Sequence, residues 1–303
     1  MKAVLLNSTR EIDHIGCQLT SIGLIKFLTF NGFDIVAEVP FKSDNLASTI
    51  EYYRKLNVVF IVNGEGTFHS NQPECVRLIN CLDRLEHRCA LINSQYFKIS
   101  SELSSRISLM PFVALRTELD RDEALSDIPQ ATFLPDMIFN SFEISHTEAI
   151  CEKILISDSH LQGLNYTDAY KILADDTKGW LSINVHRPGE VKTGFRRNLE
   201  KLRLLLCPTE QNLNKYFSRT ANEVFSELGK CSHLITGRYH LACLSIMAGK
   251  PVQVVPTNTP KLSRLMHSFC DSIDGVHYPK EKVLDTIHRQ ISSFSNLKSL
   301  FND

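Results

Sequence analysis

Apolar residues in this chain fall in short continuous runs separated by longer stretches of near-helical spacing, the pattern of buried parallel strands alternating with helices. The first run, Ala3-Val4-Leu5-Leu6, stops at Asn7-Ser8-Thr9; after His14-Ile15-Gly16-Cys17, the apolar positions Leu19, Ile22, Ile25, Leu28 and Phe30 recur until Asn31-Gly32. This reads as strand, loop and helix, with Asn-Gly as the stop signal. Residues 33–39 read as a second strand, 46–56 as a helix and 57–62 as a strongly buried strand that runs straight into Asn63-Gly64-Glu65-Gly66-Thr67. A helix over 76–85 and strands at 90–93, 112–115 and 132–134 continue the alternation.

From 140 to 178 the pattern loses its clarity, and 179–185 reads as the first strand of a second unit. Residues 199–206 have no clear type; a helix over 220–228, a strand at 233–236, a helix over 240–248, a strand at 252–255 and helices to the end follow. Alternation of this kind predicts an α/β fold of two Rossmann-like, doubly wound domains facing a cleft, residues 1–145 and 146–303. Ligands of such sheets bind beyond the carboxyl ends of the strands, so the polar residues that end each run are the candidates for chemistry.

The 303-residue length suits two cores, and 43% hydrophobic with 22% charged residues is ordinary globular composition. Lys plus Arg (33) nearly balance Asp plus Glu (34), so no overall field draws the chain to nucleic acid, and any anion site must be local. No stretch approaches the ~20 apolar residues of a membrane span. The apolar run before Asn7 is too short for a signal-peptide core, so a cytoplasmic protein is expected. Nine cysteines form no CxxC pair and no HExxH is present, so reduced, mostly buried thiols and no metal are expected. Cys17 stands apart because its loop follows the first strand.

The most specific segment is Leu234-Ile235-Thr236-Gly237-Arg238-Tyr239-His240, followed by a small-residue helix and Ala248-Gly249-Lys250-Pro251-Val252. An apolar strand ends in Thr-Gly, and Arg238 and His240 open the next helix, where free backbone N–H groups favour a phosphate or carboxylate. The alternative is a capped helix with a surface arginine and a packed histidine.

The TGRYH string with AGKPV after it resembles the carboxy-terminal signature of the polysaccharide pyruvyl transferase family. Further segments match in order: the first loop with Gly16, the turn Gly64-Glu65-Gly66-Thr67, Leu115-Arg116-Thr117, Leu134-Pro135-Asp136, and Pro256-Thr257-Asn258 with Lys261. The resemblance implies a GT-B-like pair of domains, the first on the acceptor side and the second on the donor side, with Arg238, His240, Gly237 and Arg116 at an acidic donor. It also implies a place in cell-surface polysaccharide biosynthesis, such as capsule or lipopolysaccharide, with no cofactor beyond the donor, a glycan acceptor and peripheral association with a glycan-assembly machinery.

Two departures matter. The family's triple-glycine turn carries Glu65 at its middle position, and the aspartate of its Asn-x-Gly-Asp loop is replaced by Cys17. A carboxyl between two glycines at a strand end can approach a ligand closely, and burial would raise its pKa toward that of a general acid. A branch of retaining transferases that move Kdo from CMP-Kdo resembles this chain in its GEGT-like turn and Gly-Cys loop. By that resemblance Glu65 is the acid/base and Asp136 the nucleophile. Asp136 also reads as an ordinary turn or helix-cap residue.

His186, in His186-Arg187-Pro188, suits a donor phosphate or a plain loop start, and His69 a ligand contact or an ordinary loop. Lys192, Arg196 and Arg197 read as a solvated face. Three functions stay open: transfer of an ulosonic sugar from a CMP donor, ketal pyruvyl transfer from phosphoenolpyruvate, and a non-catalytic scaffold domain in glycan assembly.

Overall fold

The computed structural model describes residues 1–12, 14–65, 69–82, 85, 88–142, 153–159, 178–180, 221–255, 257 and 259–301. Strand β1 (Lys2–Ser8), helix α1 (Ile15–Phe30), β2 (Asp34–Pro40), α2 (Leu46–Arg54), β3 (Val59–Asn63), α3 (Pro73–Cys81), β4 (Cys89–Ser94), α4 (Ser101–Ile107), β5 (Phe112–Leu115), α5 (Glu118–Ala124) and β6 (Ala131–Phe133) build the first unit. Its sheet is wholly parallel in the order β2-β1-β3-β4-β5-β6, with the strand order reversing between β1 and β3. Both faces are covered. Ala3 and Leu5 join a cluster with α1, while Val4 and Leu6 point the other way into a cluster with α2, α3 and α4. Continuous apolar runs are what such two-sided burial demands.

A 3-10 turn (Met137–Asn140) leads toward the second unit: β7 (Lys153–Ser159), β8 (Lys178–Trp180), α6 (221–229), β9 (Cys231–Gly237), α7 (Tyr239–Met247), β10 (Val252–Val254), α8 (Lys261–Phe269), β11 (Cys270–Ile273), β12 (Val276–Pro279) and α9 (Val283–Ser292). Its sheet runs β11-β12-β10-β9-β7-β8, parallel except at β12 and β11. The expected pair of Rossmann-like units is thus present. Two elements differ from the sequence reading. Strand β7 rests on the short run Ile154-Leu155-Ile156, and the expected run of terminal helices is interrupted by the hairpin β11–β12, turning at Asp274 and Gly275 with φ of 50° and 79°.

The units meet along α1, which is buried on nearly every side. A Cβ on Gly23 would lie 1.8 Å from the Met137 carbonyl oxygen, and one on Gly16 would lie 2.2 Å from His240 Cβ. These glycines sit seven positions apart, two helical turns, so one bare face of α1 admits the 3-10 turn and the start of α7. The expected boundary near residue 145 lies outside the described residues, and the chain's end crosses back to the first unit. Gln290 Nε2 donates to the Phe133 carbonyl at 2.9 Å, and Phe294 and Phe301 meet Phe112 and Phe33 edge-on.

Candidate active site

The candidate residues gather at the carboxyl edge of the first sheet, at the β1/β3 reversal where such folds bind ligands. Three asparagines shape the strand ends. Asn7 and Asn93 take left-handed φ of 62° and 65°, which asparagine tolerates better than most residues. Asn7 Nδ2 donates to the Asn63 carbonyl at 2.6 Å, and Asn63 Oδ1 accepts from the Glu65 backbone N–H at 3.2 Å and from Asn93 Nδ2 at 3.4 Å. Gly64 is needed here because a Cβ would fall 2.6 Å from Ser94 Cβ. Glu65 is therefore held at its backbone and its side chain is enclosed, only 5% exposed.

Its two oxygens differ. Oε1 accepts from the Cys17 thiol at 3.4 Å and lies 3.7 Å from His240 Nε2, whereas Oε2 is enclosed with no hydrogen-bond partner. Burial pushes the Glu65 pKa up, against Arg116, which pulls it down, and with Asp136, which adds to the rise. The Cys17 thiol is itself raised well above its ordinary value, first by burial and then by Glu65, so it acts as a neutral donor.

His240 reaches this point from the first turn of α7, set by the strand end Thr236-Gly237 and by Arg238 as the helix N-cap. Its Nε2 lies 3.4 Å from Thr20 Oγ1, which also donates to Asp136 Oδ1 at 3.2 Å. Because the Thr20 proton goes to Asp136, the hydroxyl accepts from His240, which puts a proton on Nε2.

Asp136 has no exposed surface. Oδ1 accepts from Thr20 and from the Ile138 N–H at 2.9 Å, capping the 3-10 turn, and Oδ2 accepts from Arg116 at 3.2 Å. Arg116 in turn lies 4.6 Å from the Tyr239 ring centroid. Of the two roles the sequence leaves open for Asp136, the cap is seen here, and the enclosure does not fit a nucleophile, whose lone pair must face the reacting carbon.

Positive charge gathers opposite. Lys261, at the start of α8, acts electrostatically on Glu65, Cys17, Arg116 and Arg238, and burial together with Arg116 lowers its pKa to about 8. His69 is pushed down to about 4 by burial, Lys261 and Arg116, and so is neutral at pH 7. His14, Cys17 and His240 bring one potential ligand atom each within 4.8 Å of one another, a convergence that sequence spacing could not reveal. His14 Nδ1 accepts the Cys17 N–H at 3.2 Å as the N-cap of α1, leaving its proton on Nε2, and the neighbouring Lys261 and Arg116 are cations. Both features oppose a divalent ion.

The structure thus brings Glu65, Gly64, Gly16, Asp136, Arg116, Gly237, Arg238 and His240 together at the strand ends where the units meet. Gly66, Thr67 and His186, with the basic cluster 192–197, lie outside the described residues. Thr20, Tyr239 and Gln95 join the site without standing out in the sequence; Thr20 alone carries a signal, lying one turn beyond Cys17 on α1.

No family model matches the chain, and no curated protein matches it, so the pyruvyl transferase resemblance stands on the quoted residues. Solved structures do match. A functionally uncharacterized protein of Klebsiella pneumoniae aligns with TM-score 0.53 and 14% identity over 88% of this chain and 87% of that one. UDP-GlcNAc 2-epimerase from Methanocaldococcus jannaschii gives 0.47 and 11% over 97% and 100%, and TarM gives 0.39 and 14% over 85% and 52%. The first likeness supports the fold and says nothing of chemistry; the other two are too distant to add to it.

Proposed function

We propose that the chain is a transferase of cell-surface polysaccharide synthesis whose donor carries a carboxylate at its reacting carbon, best read as a Kdo-type ulosonic sugar delivered from a CMP-activated donor. The observation that carries this reading is Glu65: a buried carboxyl of raised pKa, one oxygen held by Cys17 beside His240 and the other unpartnered, at the strand-order reversal. Neutral Glu65 carries its proton on Oε2. It gives that proton to the departing phosphate oxygen as the sugar–oxygen bond breaks, then as carboxylate takes the proton of the acceptor hydroxyl that forms the new bond. Arg238 and His240 hold the donor's acidic groups, and Arg116, fixed by Asp136 and Tyr239, supplies positive charge beside them.

The enclosure of Asp136 favours a second reading, ketal pyruvyl transfer from phosphoenolpyruvate, which needs no covalent nucleophile. There Glu65 would protonate the methylene carbon, two acceptor hydroxyls would add to the neighbouring carbon, and phosphate would leave.

Purified protein incubated with surface glycan fragments and, separately, CMP-Kdo or phosphoenolpyruvate separates the two by release of CMP or of phosphate. Intact-mass spectrometry of Glu65→Gln after exposure to CMP-Kdo tests the enclosure of Asp136: an unmodified chain fits its role as a cap, and one added Kdo unit on Asp136 would show that the carboxylate is freed to act as nucleophile. Release of neither product would end both readings.

A further inference from the structure

Lys261 is a half-buried cation with no carboxylate in contact with it among the described residues. Among the described residues its ammonium makes no ion pair within 4 Å and no hydrogen bond. The nearby carboxyls do not balance it: Asp136 is committed to Arg116, and burial drives Glu65 toward its neutral form. A cation held partly out of water without a paired carboxylate is destabilising, so the fold leaves a deficit of negative charge at this point.

The lysine is aimed by its helix. Arg264 lies three residues on, on the same face of α8. It is bonded to the Tyr96 carbonyl at 2.9 Å, to Asp120 and to Glu123 at 2.6 Å. That anchor ties α8 to the end of β4, and Lys261, one turn earlier, acts electrostatically on Glu65 and Arg116, which follow the two strands on either side of β4. Immediately before Tyr96 stands Gln95, 2% exposed, with both the oxygen and the nitrogen of its amide enclosed and unpartnered. Buried amides are almost always hydrogen-bonded, so this one lacks a partner that the protein does not supply.

We propose that Lys261 and Gln95 form an anion subsite, the ammonium supplying the countercharge and the Gln95 amide a hydrogen bond to one phosphate or carboxylate group of the ligand. The inference rests on the transferase reading for its biological ligand, but not for its test. The two chemical sources, phosphate and carboxylate, are separated by using inorganic phosphate, CMP and pyruvate as probes.

Calorimetric titration of the full chain with each probe is expected to show binding by at least one, weakened about ten- to a hundredfold in Lys261→Met, the loss typical of one charge-assisted hydrogen bond. Lys261→Arg should keep most of the affinity. Gln95→Met should weaken binding severalfold while leaving the melting temperature of the free protein equal to or above that of wild type, because it removes an unsatisfied amide; a residue with a merely structural role would lower it. Absence of binding by every probe, or equal affinity in wild type and Lys261→Met, would overturn the subsite. Lys261-dependent binding in a chain that releases neither CMP nor phosphate from its donors keeps the subsite and sinks the transferase reading. Transfer that persists undiminished in Lys261→Met does the reverse.

Discussion

Two polar seams join the units, and they are finished differently. At one, Arg264 of α8 meets Asp120, Glu123 and the Tyr96 carbonyl, while Thr117 and the Tyr96 N–H complete the Asp120 carboxylate. Every charge there has a partner. At the other, His240 of α7 meets Glu65, Cys17 and Thr20 around α1; Glu65 Oε2, the Gln95 amide and the Tyr239 hydroxyl lack a hydrogen bond, and among the described residues the Lys261 ammonium has no partner. Unmet hydrogen bonds destabilise a fold, and a crevice that retains several side by side is one that a ligand completes. The satisfied seam holds the units together; the unsatisfied one is where the proposed chemistry falls.

Breaking the unsatisfied seam at its centre should have the largest effect. Glu65→Gln keeps the shape but removes the transferable proton, and turnover should fall by roughly 10²–10⁴, the usual contribution of general acid–base catalysis. Stability should move the other way. Because the folded pKa is raised, the folded state keeps a proton that the unfolded chain has lost; that contribution is full below the ordinary carboxylate pKa and fades as pH rises through the folded value. Glutamine cannot ionise, so the variant should gain stability relative to wild type with rising pH in denaturant titrations. A variant that turns over normally removes Glu65 from the mechanism.

Breaking the satisfied seam should cost stability. Arg264→Met keeps the stem but leaves Asp120 buried and unpaired, a loss of about 3–5 kcal/mol, measurable by denaturant unfolding. Glu123, half exposed, adds little. Burial already raises the Asp120 pKa against Thr117 and Arg264, so without the arginine the carboxylate should take up a proton more readily, and the deficit should shrink in acid. A loss under 1 kcal/mol would mean that this seam is ornamental.

The contrast also shows what the sequence could reveal. The first sheet was readable almost strand by strand because parallel strands buried on both faces must be continuously apolar, and the polar residues ending those runs, Glu65, Arg116 and Asp136, do converge. The β11–β12 hairpin stands where the sequence reading expects only helices: its turn, Asp274-Gly275, is hidden by the helical spacing on either side. Satisfaction of hydrogen bonds was beyond reach. Nothing in Leu-Pro-Asp says that Thr20, more than a hundred residues away, would close off Asp136, and nothing in Asn-Ser-Gln says that Gln95 would be buried without a partner. Gly16 reads from the sequence as a loop residue but lies in the first turn of α1; its reason, the approach of His240 from the other unit, is a tertiary fact.

That approach can be tested at intermediate cost. Gly16→Ala places a methyl where the His240 side chain packs, and overpacking of this kind costs about 1–3 kcal/mol. If the glycine serves the site, activity should fall further than the stability loss explains, since His240 must withdraw from Glu65. Equal activity at a temperature where the variant is fully folded would show that His240 does not need its present position.

The smallest effect is expected at Cys17, and it sharpens the distinction between holding a catalytic group and being one. The thiol donates to Glu65 Oε1, the oxygen that is fixed, and takes no part in proton transfer from Oε2. A hydrogen bond donated to a carboxylate favours the ionised form, so Cys17→Ala should raise the Glu65 pKa further and move the alkaline limb of the kcat/KM profile upward, with only a severalfold change in maximal rate for a net bond of about 0.5–1.5 kcal/mol. Cys17→Ser retains a donor and should return the limb toward its wild-type position. Cys17→Asp, which restores the residue type of the resembled family, puts a second carboxyl against Glu65 and should move the limb furthest in the same direction as alanine. An unshifted profile in both Cys17→Ala and Cys17→Asp would show that the thiol only fills space, and the orientation of Glu65 would then rest on His240 and the backbone of the turn.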